Sequence, residues 1–436
     1  MNIKIFFLLK SNMNKSTMKF MKSLLIRNRF KDINNNPPIS KKSFFSAFFS
    51  NKKRSFYEKK IIDYFGARYG ILTKNGRLAI YLYLKAIGVK KDDEVILSAF
   101  NCFVVPEVIL FLGAKPVYID IDIYANINST DLKEKISSKT KCVILPYHDG
   151  IDVDHRNIFE AIKKRDIKIL LDGAHILHSK SDNKEYSIAN SKIDGIIYSF
   201  SDSKNISLNC GGLLITNNSY IGKEILDQNK KINSIKSVYD IKKIVLLFLK
   251  TTIGRYPYFG FLVKALGSNT LKFVESEILE EEYYGKMPIN FISLLSNYKI
   301  KLLYFNLPNL ANWNEKRRRN AKIYKDHLNQ EIGYHLIQDI RSSIPLHYPL
   351  ILNGDSDDIY YYLMKKNIYT ERWFKPQLYP SPKDIKKFQY RNKDFPIANN
   401  LSKRVLSLPL SPILSSKEIL KICDEINNFY LHRRFK

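Results

Sequence analysis

Short apolar runs alternate with segments of helical spacing along the first half of the chain. After Gly76, the apolar residues Ile80, Leu84 and Ile87 recur at the spacing of one helix face. Further helices are predicted at Val105–Leu112 and Asn157–Lys164, and strands at Glu94–Leu97, Pro116–Ile121, Cys142–Pro146, Ile167–Leu171, Gly195–Phe200 and Leu213–Thr216. Alternation of this kind predicts an α/β fold with a mostly parallel sheet and helices on both faces.

The pattern changes in the second half of the chain. Residues 218–284 are basic and apolar, as in Ile241–Lys250, and a long helical stretch is predicted at Phe291–Leu328. The remainder combines a predicted strand with predicted helices, at His347–Leu352, Asp357–Lys366 and Ser416–Phe429. We therefore predict three parts: a basic N-terminal extension (1–55), a large domain (56–330) with an insert at about 218–284, and a small C-terminal α+β domain (331–436).

The charge of the chain is strongly positive, with 71 Lys and Arg residues against 42 Asp and Glu residues in a total of 436. An excess of this size suits an anionic partner, and it is concentrated in residues 1–60. A general compositional bias toward Lys, Asn and Ile explains the same excess equally well. Since no zinc finger, helix-turn-helix or RNA-binding motif accompanies the charge, we do not expect nucleic-acid binding.

The cysteines and the apolar runs of the sequence indicate where in the cell the protein is expected. Four scattered cysteines without a CxxC pair, Cys102, Cys142, Cys210 and Cys423, favour a reducing compartment and give no support for a metal site. The apolar run Ile5–Leu9 is too short for a signal peptide, and Ile244–Leu249 is too short to span a membrane. We expect a cytoplasmic protein, with peripheral contact at the inner face of an anionic membrane as an open alternative.

Two polar segments follow predicted strands and carry the main candidate chemistry. Asp172 comes directly after the run Ile167–Leu171, and Lys204 lies in a small, polar loop after the run that ends at Phe200. A lysine and a carboxylate at the ends of two core strands are what a pyridoxal phosphate site needs, with the lysine bound to the aldehyde and the carboxylate opposite the ring nitrogen. Taken alone, an ordinary surface lysine and a strand-end aspartate remain open alternatives.

Several motifs in a fixed order resemble those of one enzyme family. They are Gly113–Asp122 (GAKPVYIDID), Pro146–Asp154 (PYHDGIDVD), Asp172–His175 (DGAH), Ser199–Asn205 (SFSDSKN) and Val405–Ser411 (VLSLPLS). Together they are similar to the motifs of the DegT/StrS-type sugar aminotransferases, strongly over residues 60–220 and more weakly over 285–430. The resemblance implies the pyridoxal-phosphate-dependent transferase fold type I, in which the active site lies at a homodimer interface.

The resemblance assigns roles to individual residues. Lys204 is expected to bind the cofactor covalently, Asp172 to pair with its pyridine nitrogen, and His175 to hydrogen-bond its phenolic oxygen. The phosphate is expected at the helix that begins at Gly76, where backbone N–H groups favour an anion, with Ser199 as a second ligand. For His175 and Ser199, purely structural roles stay open.

The chain departs from the family pattern at three places. Arg77 stands where the family has a threonine, and either binds the phosphate or points away from it. Cys102 falls where the family stacks an aromatic residue on the cofactor ring, with Phe100 and Phe103 as neighbouring candidates. The segment Tyr284–Met287 replaces a partner-chain Asn-x-Arg motif, so the partner's contacts cannot be transferred to this chain.

The resemblance implies an aminotransferase that moves an amino group from an amino acid, by family analogy glutamate, to a nucleotide-linked keto-sugar. Surface polysaccharide or lipopolysaccharide biosynthesis is the expected setting. A pyridoxal-phosphate-dependent sugar dehydratase is an alternative, which the presence of Lys204 disfavours because such relatives often lack the lysine. A catalytically weak assembly protein at a membrane surface is a second alternative, suggested by the basic extension and insert.

Overall fold

The computed structural model of the protein describes residues 39–153, 155–163, 165–179, 182, 188, 192–232, 247–248, 279–366 and 368–434. A seven-stranded sheet forms the centre of the large domain. In spatial order its strands are β1 (Tyr69–Thr73), β8 (Gly212–Thr216), β7 (Gly195–Ser199), β6 (Lys168–Gly173), β5 (Thr140–Pro146), β2 (Glu94–Ser98) and β4 (Lys115–Ile119). The strands from β7 to β4 run parallel, and β8 is antiparallel to both neighbours. The predicted mostly parallel sheet is confirmed.

The sheet is buried on both faces because its strands are nearly continuous apolar runs. Successive side chains of a strand point to opposite faces, so one strand contributes to two cores. In β2, Val95 and Leu97 pack into the core on one face, whereas Ile96 packs into the core on the other. This arrangement leaves the carboxyl ends of the parallel strands as the edge where polar side chains can gather.

Helices cover both faces of this sheet. They are α1 (Lys41–Phe49), α2 (Arg54–Tyr64), α3 (Gly76–Ala86), α4 (Val104–Phe111), α5 (Ser129–Lys135), α6 (Arg156–Ile162), α7 (Ser219–Lys231), α8 (Asn297–Asn306) and α9 (Leu310–His327). The N-terminus of α3 is capped by Asn75, whose side-chain oxygen accepts a hydrogen bond from the Leu78 N–H at 3.0 Å. The helix predicted after Gly76 is therefore present and begins at that glycine.

Two predicted segments differ from the structure. The long helical stretch at 291–328 is divided into α8 and α9 by a 3-10 turn at Leu307–Asn309, because Pro308 lacks the N–H that a continuous helix requires. Helix α1 lies within the predicted extension, yet its residues Phe44 and Ala47 are buried and Ser43 bonds the backbone of Phe305. Residues 1–38 and most of the basic apolar insert (233–246 and 249–278) lie outside the described residues.

The C-terminal part forms a small α+β domain. Its antiparallel sheet has the order β12 (Val405–Pro409), β10 (His347–Leu352) and β9 (Gly333–His335). Three helices accompany it: α10 (Asp357–Lys365), α11 (Pro396–Arg404) and α12 (Ser416–Arg434). The predicted strand and the two predicted helices of this region are all present, with α12 extending beyond its predicted end.

A two-stranded parallel pair connects the small domain to the edge of the main sheet. Strand β3 (Asn101–Cys102) pairs with β11 (Leu378–Tyr379), and the Asn101 N–H donates to the Gln377 carbonyl at 2.8 Å. This pairing brings the segment just before β11 over the carboxyl ends of the parallel strands. In the described ranges, no helix combines the length and the apolar character needed to cross a membrane.

Candidate active site

A cavity lies at the carboxyl edge of the main sheet, where β6 and β7 end and α3 begins. Its lining includes most of the site residues predicted from the sequence: Gly76, Arg77, Cys102, Asp172, His175, Ser199 and Lys204. These residues come from separate segments of the chain, and the parallel order of β6 and β7 brings the carboxyl ends of these two strands to the same place. Phe103 is not part of this lining.

Asp172 places a buried carboxyl group in the floor of the cavity. It is near the end of β6, and its Oδ1 accepts a hydrogen bond from the Ala174 N–H at 3.0 Å. Burial raises the pKa of this carboxyl group, while the Ala174 N–H and the charge of Lys204 oppose that rise. A positively charged ring nitrogen placed opposite Asp172 would favour the ionised carboxylate further.

Lys204 lies in the loop that joins β7 to β8. A turn holds it, since the Lys204 N–H bonds the Ser201 carbonyl at 3.3 Å and Ser203 adopts a left-handed φ of 65°. The amine lies over the ring of Trp373, 4.6 Å from its centroid. The charge of Lys204 also acts on both Asp172 and His175, so the lysine amine, the carboxyl group and the imidazole share one site.

His175 is held as a neutral hydrogen-bond donor. Its Nδ1 accepts the backbone N–H of Asp149 at 3.2 Å, which leaves the proton of the neutral ring on Nε2. Burial is the main cause that lowers the pKa of His175 well below its usual range, and the charge of Lys204 lowers it further. The ring is also in contact with Trp373, with the centroids 4.6 Å apart. His175 can therefore donate to an oxygen anion in the cavity without taking up a proton.

The start of α3 provides an anion site. Gly76 stands at the N-terminus of this helix, beside Ser199, whose hydroxyl group is 2.8 Å from that of Ser201. Unpaired N–H groups and the helix dipole favour a phosphate at such an end. Gly212 is required nearby, because a Cβ there would lie 2.4 Å from the Asn75 carbonyl oxygen.

Arg77 contacts the cavity but is committed to an acidic partner. Its guanidinium group forms an ion pair with Glu282, which lies in a 3-10 turn at Glu280–Tyr284. The two side chains are only 6% and 2% exposed. Of the two orientations left open by the sequence, the structure shows the one in which the guanidinium group pairs within the protein.

The position expected to stack on the cofactor ring is occupied by Cys102, which lines the cavity and whose thiol has its pKa raised by burial. The expectation for Phe103 needs correction. The ring of Phe103 stacks on Tyr283 at 5.1 Å and meets Phe388 edge-on. Its backbone is held away from the cavity because the Phe103 N–H donates to the Tyr379 carbonyl, next to the pairing of β3 with β11.

Sequence reasoning missed two aromatic residues of the site. Phe374 lines the cavity and meets His148 edge-on at 5.6 Å, and Trp373 lies against both Lys204 and His175. Both residues precede β11 and reach the site only through its pairing with β3. No local signal in the sequence indicates that pairing; the rarity of tryptophan, with two in the chain, was the available hint.

A family model matches residues 43–238 and 267–427, which together cover most of the chain. The chain belongs to the DegT/DnrJ/EryC1/StrS aminotransferase family. This confirms the resemblance found in the motifs, and the sugar aminotransferases of this family are enzymes that depend on pyridoxal phosphate.

Individual relatives in this aminotransferase family cover nearly the whole fold. The chain is 24% identical over 377 residues to GDP-perosamine synthase of Escherichia coli O157:H7, covering 86% of this chain and 89% of the relative. It is 26% identical over 378 residues to dTDP-3-amino-3,6-dideoxy-alpha-D-galactopyranose transaminase of Aneurinibacillus thermoaerophilus, covering 86% of this chain and 89% of that relative. A putative sugar aminotransferase of Streptococcus pneumoniae, solved in its PMP form, superposes with a TM-score of 0.70 at 19% identity, covering 90% of this chain and 98% of that structure. That likeness confirms the fold.

The cavity residues of this family member fit pyridoxal phosphate. Lys204 offers an amine, Asp172 a buried carboxyl group and His175 a neutral N–H donor, all in one cavity. The N-terminus of α3, together with Ser199, offers the donors that a phosphate requires. Since these groups meet from three separate segments of the chain, the fit does not rest on any single motif.

Proposed function

We propose that the chain is an aminotransferase that moves an amino group from an amino acid to a nucleotide-linked keto-sugar, with pyridoxal phosphate bound at Lys204. The observation that carries the proposal is the meeting of Lys204 and Asp172 in one cavity at the N-terminus of α3. When bound, the cofactor acts as an electron sink that allows a proton to leave the carbon next to the amino group.

The residues of the chain divide the work of that reaction. Lys204 would hold the cofactor aldehyde, and its amine, when free of the cofactor, would serve as the general acid and base that carries the proton. Asp172 would accept a hydrogen bond from the ring N–H and favour its protonated form, since a carboxylate stabilises a neighbouring positive charge. The Nε2–H of His175 would donate a hydrogen bond to the phenolic oxygen. The ring of Trp373 lies against the Lys204 amine, and Phe374 lines the cavity beside these groups.

A nucleotide-linked sugar is the proposed acceptor. The two relatives named above carry a GDP-linked and a dTDP-linked sugar in their names, which supports this class of substrate without choosing the nucleotide. Glutamate as donor, a polysaccharide product and a homodimer belong to the same proposal and come from the family resemblance. The cytoplasmic location and the contact with an anionic membrane stay predictions.

The proposed reaction is tested by incubating the purified full chain with pyridoxal phosphate, glutamate carrying a labelled amino nitrogen, and 4-keto-6-deoxy sugars linked to GDP or dTDP. Transfer of the labelled nitrogen to the sugar, detected by mass spectrometry and absent in Lys204→Ala, is the expected result. Loss of water from the keto-sugar without any nitrogen transfer would contradict it and would favour the dehydratase alternative.

A further inference from the structure

Arg77 stands at the second position of α3, beside the proposed phosphate site, yet its charge is directed into the protein. The guanidinium group pairs with Glu282, and both side chains are almost fully buried. A buried ion pair of this kind is costly to break, because removal of one partner leaves the other charge uncompensated. If Arg77 turned to bind a phosphate, the carboxylate of Glu282 would be left buried without it.

The position of Glu282 is fixed by its own segment. The second carboxylate oxygen of Glu282 accepts the Leu279 N–H, and the neighbouring Tyr283 stacks on Phe103 at 5.1 Å. The carbonyl group of Tyr283 also accepts the Lys383 N–H at 2.9 Å. The carboxylate is therefore held beside α3 by contacts that do not involve Arg77.

A second carboxyl group, that of Glu107 on α4, completes this cluster. Its side chain is fully buried, and neither carboxyl oxygen has a hydrogen-bond partner among the described residues. Burial raises the pKa of Glu107 to about 9, and the negative charge of Glu282 adds to the rise. Glu107 is thus neutral at neutral pH, and the three side chains carry one positive and one negative charge.

We infer that Glu282 is a fixed counter-charge for Arg77, so that the cofactor phosphate is bound by neutral donors at the start of α3 and not by the guanidinium group. Arg77 is then paired with Glu282 within the protein and is not a ligand of the phosphate. The inference rests on the proposed function, because the phosphate is that of the proposed cofactor. It explains why an arginine can stand where the family has a threonine.

The test measures the affinity of the cofactor-free full chain for pyridoxal phosphate and for pyridoxal, by absorbance titration. The ratio of the two affinities isolates the contribution of the phosphate. In Glu282→Gln the guanidinium group loses its counter-charge, so pyridoxal phosphate should bind about tenfold more tightly, while pyridoxal binds as in the wild type. In Arg77→Met the carboxylate of Glu282 remains uncompensated near the phosphate, so binding should weaken by about tenfold.

The double variant Arg77→Met/Glu282→Gln removes both charges and should return the affinity ratio to about the wild-type value. Glu107→Gln is the matched control, since it replaces one neutral side chain by another and should leave the ratio unchanged. The inference is overturned if Glu282→Gln weakens binding of pyridoxal phosphate, or if the double variant binds it as weakly as Arg77→Met.

Pyridoxal binding also reports whether each variant folds, and if Arg77→Met does not fold, the ratio for Glu282→Gln alone decides between the two outcomes. A wild-type chain that binds neither pyridoxal nor pyridoxal phosphate would instead contradict the proposed function. The two failures are therefore distinguishable.

Discussion

The amine of Lys204 lies 4.6 Å from the ring centroid of Trp373, although the two residues belong to different domains of the chain. The same ring contacts His175, so one side chain of the small domain touches two of the groups proposed to hold the cofactor. The proposed active site is thus assembled from both domains. The pairing of β3 with β11 brings the segment that carries Trp373 to these two groups.

Replacing Trp373 should weaken cofactor binding. In Trp373→Leu the lysine amine loses the face of an aromatic ring, a contact of about 1 kcal/mol, so affinity for pyridoxal phosphate should fall roughly fivefold. Trp373→Phe keeps an aromatic face and should lose less. Trp313→Phe, at the other tryptophan of the chain, is the control; equal losses in Trp373→Leu and Trp313→Phe would contradict the contact.

Asp172→Asn should separate cofactor binding from amino transfer. The amide keeps the size of the side chain but cannot hold a proton on the ring nitrogen, so the rate of amino transfer should fall by about a hundredfold or more. Absorbance should show that the cofactor still binds at Lys204. Unchanged turnover in Asp172→Asn would remove this carboxyl group from the proposed reaction.

Glu107 should make the stability of the protein depend on pH. Its pKa is about 9 in the folded protein and about 4.5 in the unfolded chain, so the unfolded chain releases this proton first as the pH rises. The contribution to stability is complete below the unfolded pKa and is lost as the pH rises toward the folded one. Between these two pKa values, the free energy of unfolding of Glu107→Gln should therefore rise relative to that of the wild type by about 1.4 kcal/mol per pH unit. Denaturant unfolding at several pH values measures this difference. A pH-independent difference would mean that Glu107 is ionised in the fold.

His148 should act in the opposite pH range. Burial lowers its pKa to about 4 from an ordinary value of 6.5, so below the ordinary value the unfolded chain takes up a proton that the folded protein does not. The free energy of unfolding should fall by up to about 3 kcal/mol as the pH drops through this interval. His148→Gln should show a shallower decline on acid titration than the wild type; parallel curves would rule out a buried neutral His148.

The central sheet and the pair proposed to hold the cofactor, Asp172 and Lys204, follow from the sequence because both rest on local signals. Apolar runs ended by polar residues predict β6 and β7, and Asp172 and Lys204 come with the ends of those runs. A helix N-terminus at Gly76 is equally local. These features need only the parallel order of the strands to form a site.

The remaining part of the site depends on contacts between distant segments. Trp373 reaches Lys204 and His175 through a two-residue strand pair, and Arg77 pairs with Glu282, which is distant in the sequence. Neither contact has a periodic signal in the sequence. The position next to Cys102 makes Phe103 a candidate for the ring, but in the structure its N–H donates to the Tyr379 carbonyl and its ring stacks on Tyr283.

The most direct test of the central claim is to locate the lysine that binds the cofactor. The full chain is saturated with pyridoxal phosphate, reduced with borohydride, digested and sequenced by mass spectrometry. The label should lie on Lys204, so it should be absent in Lys204→Ala and retained in Lys168→Ala. Lys168 begins β6, at the end of this strand away from Asp172 and the cavity, and its replacement is the control. A protein that takes up no label, or that carries it on another lysine while Lys204→Ala is labelled equally, would contradict the account.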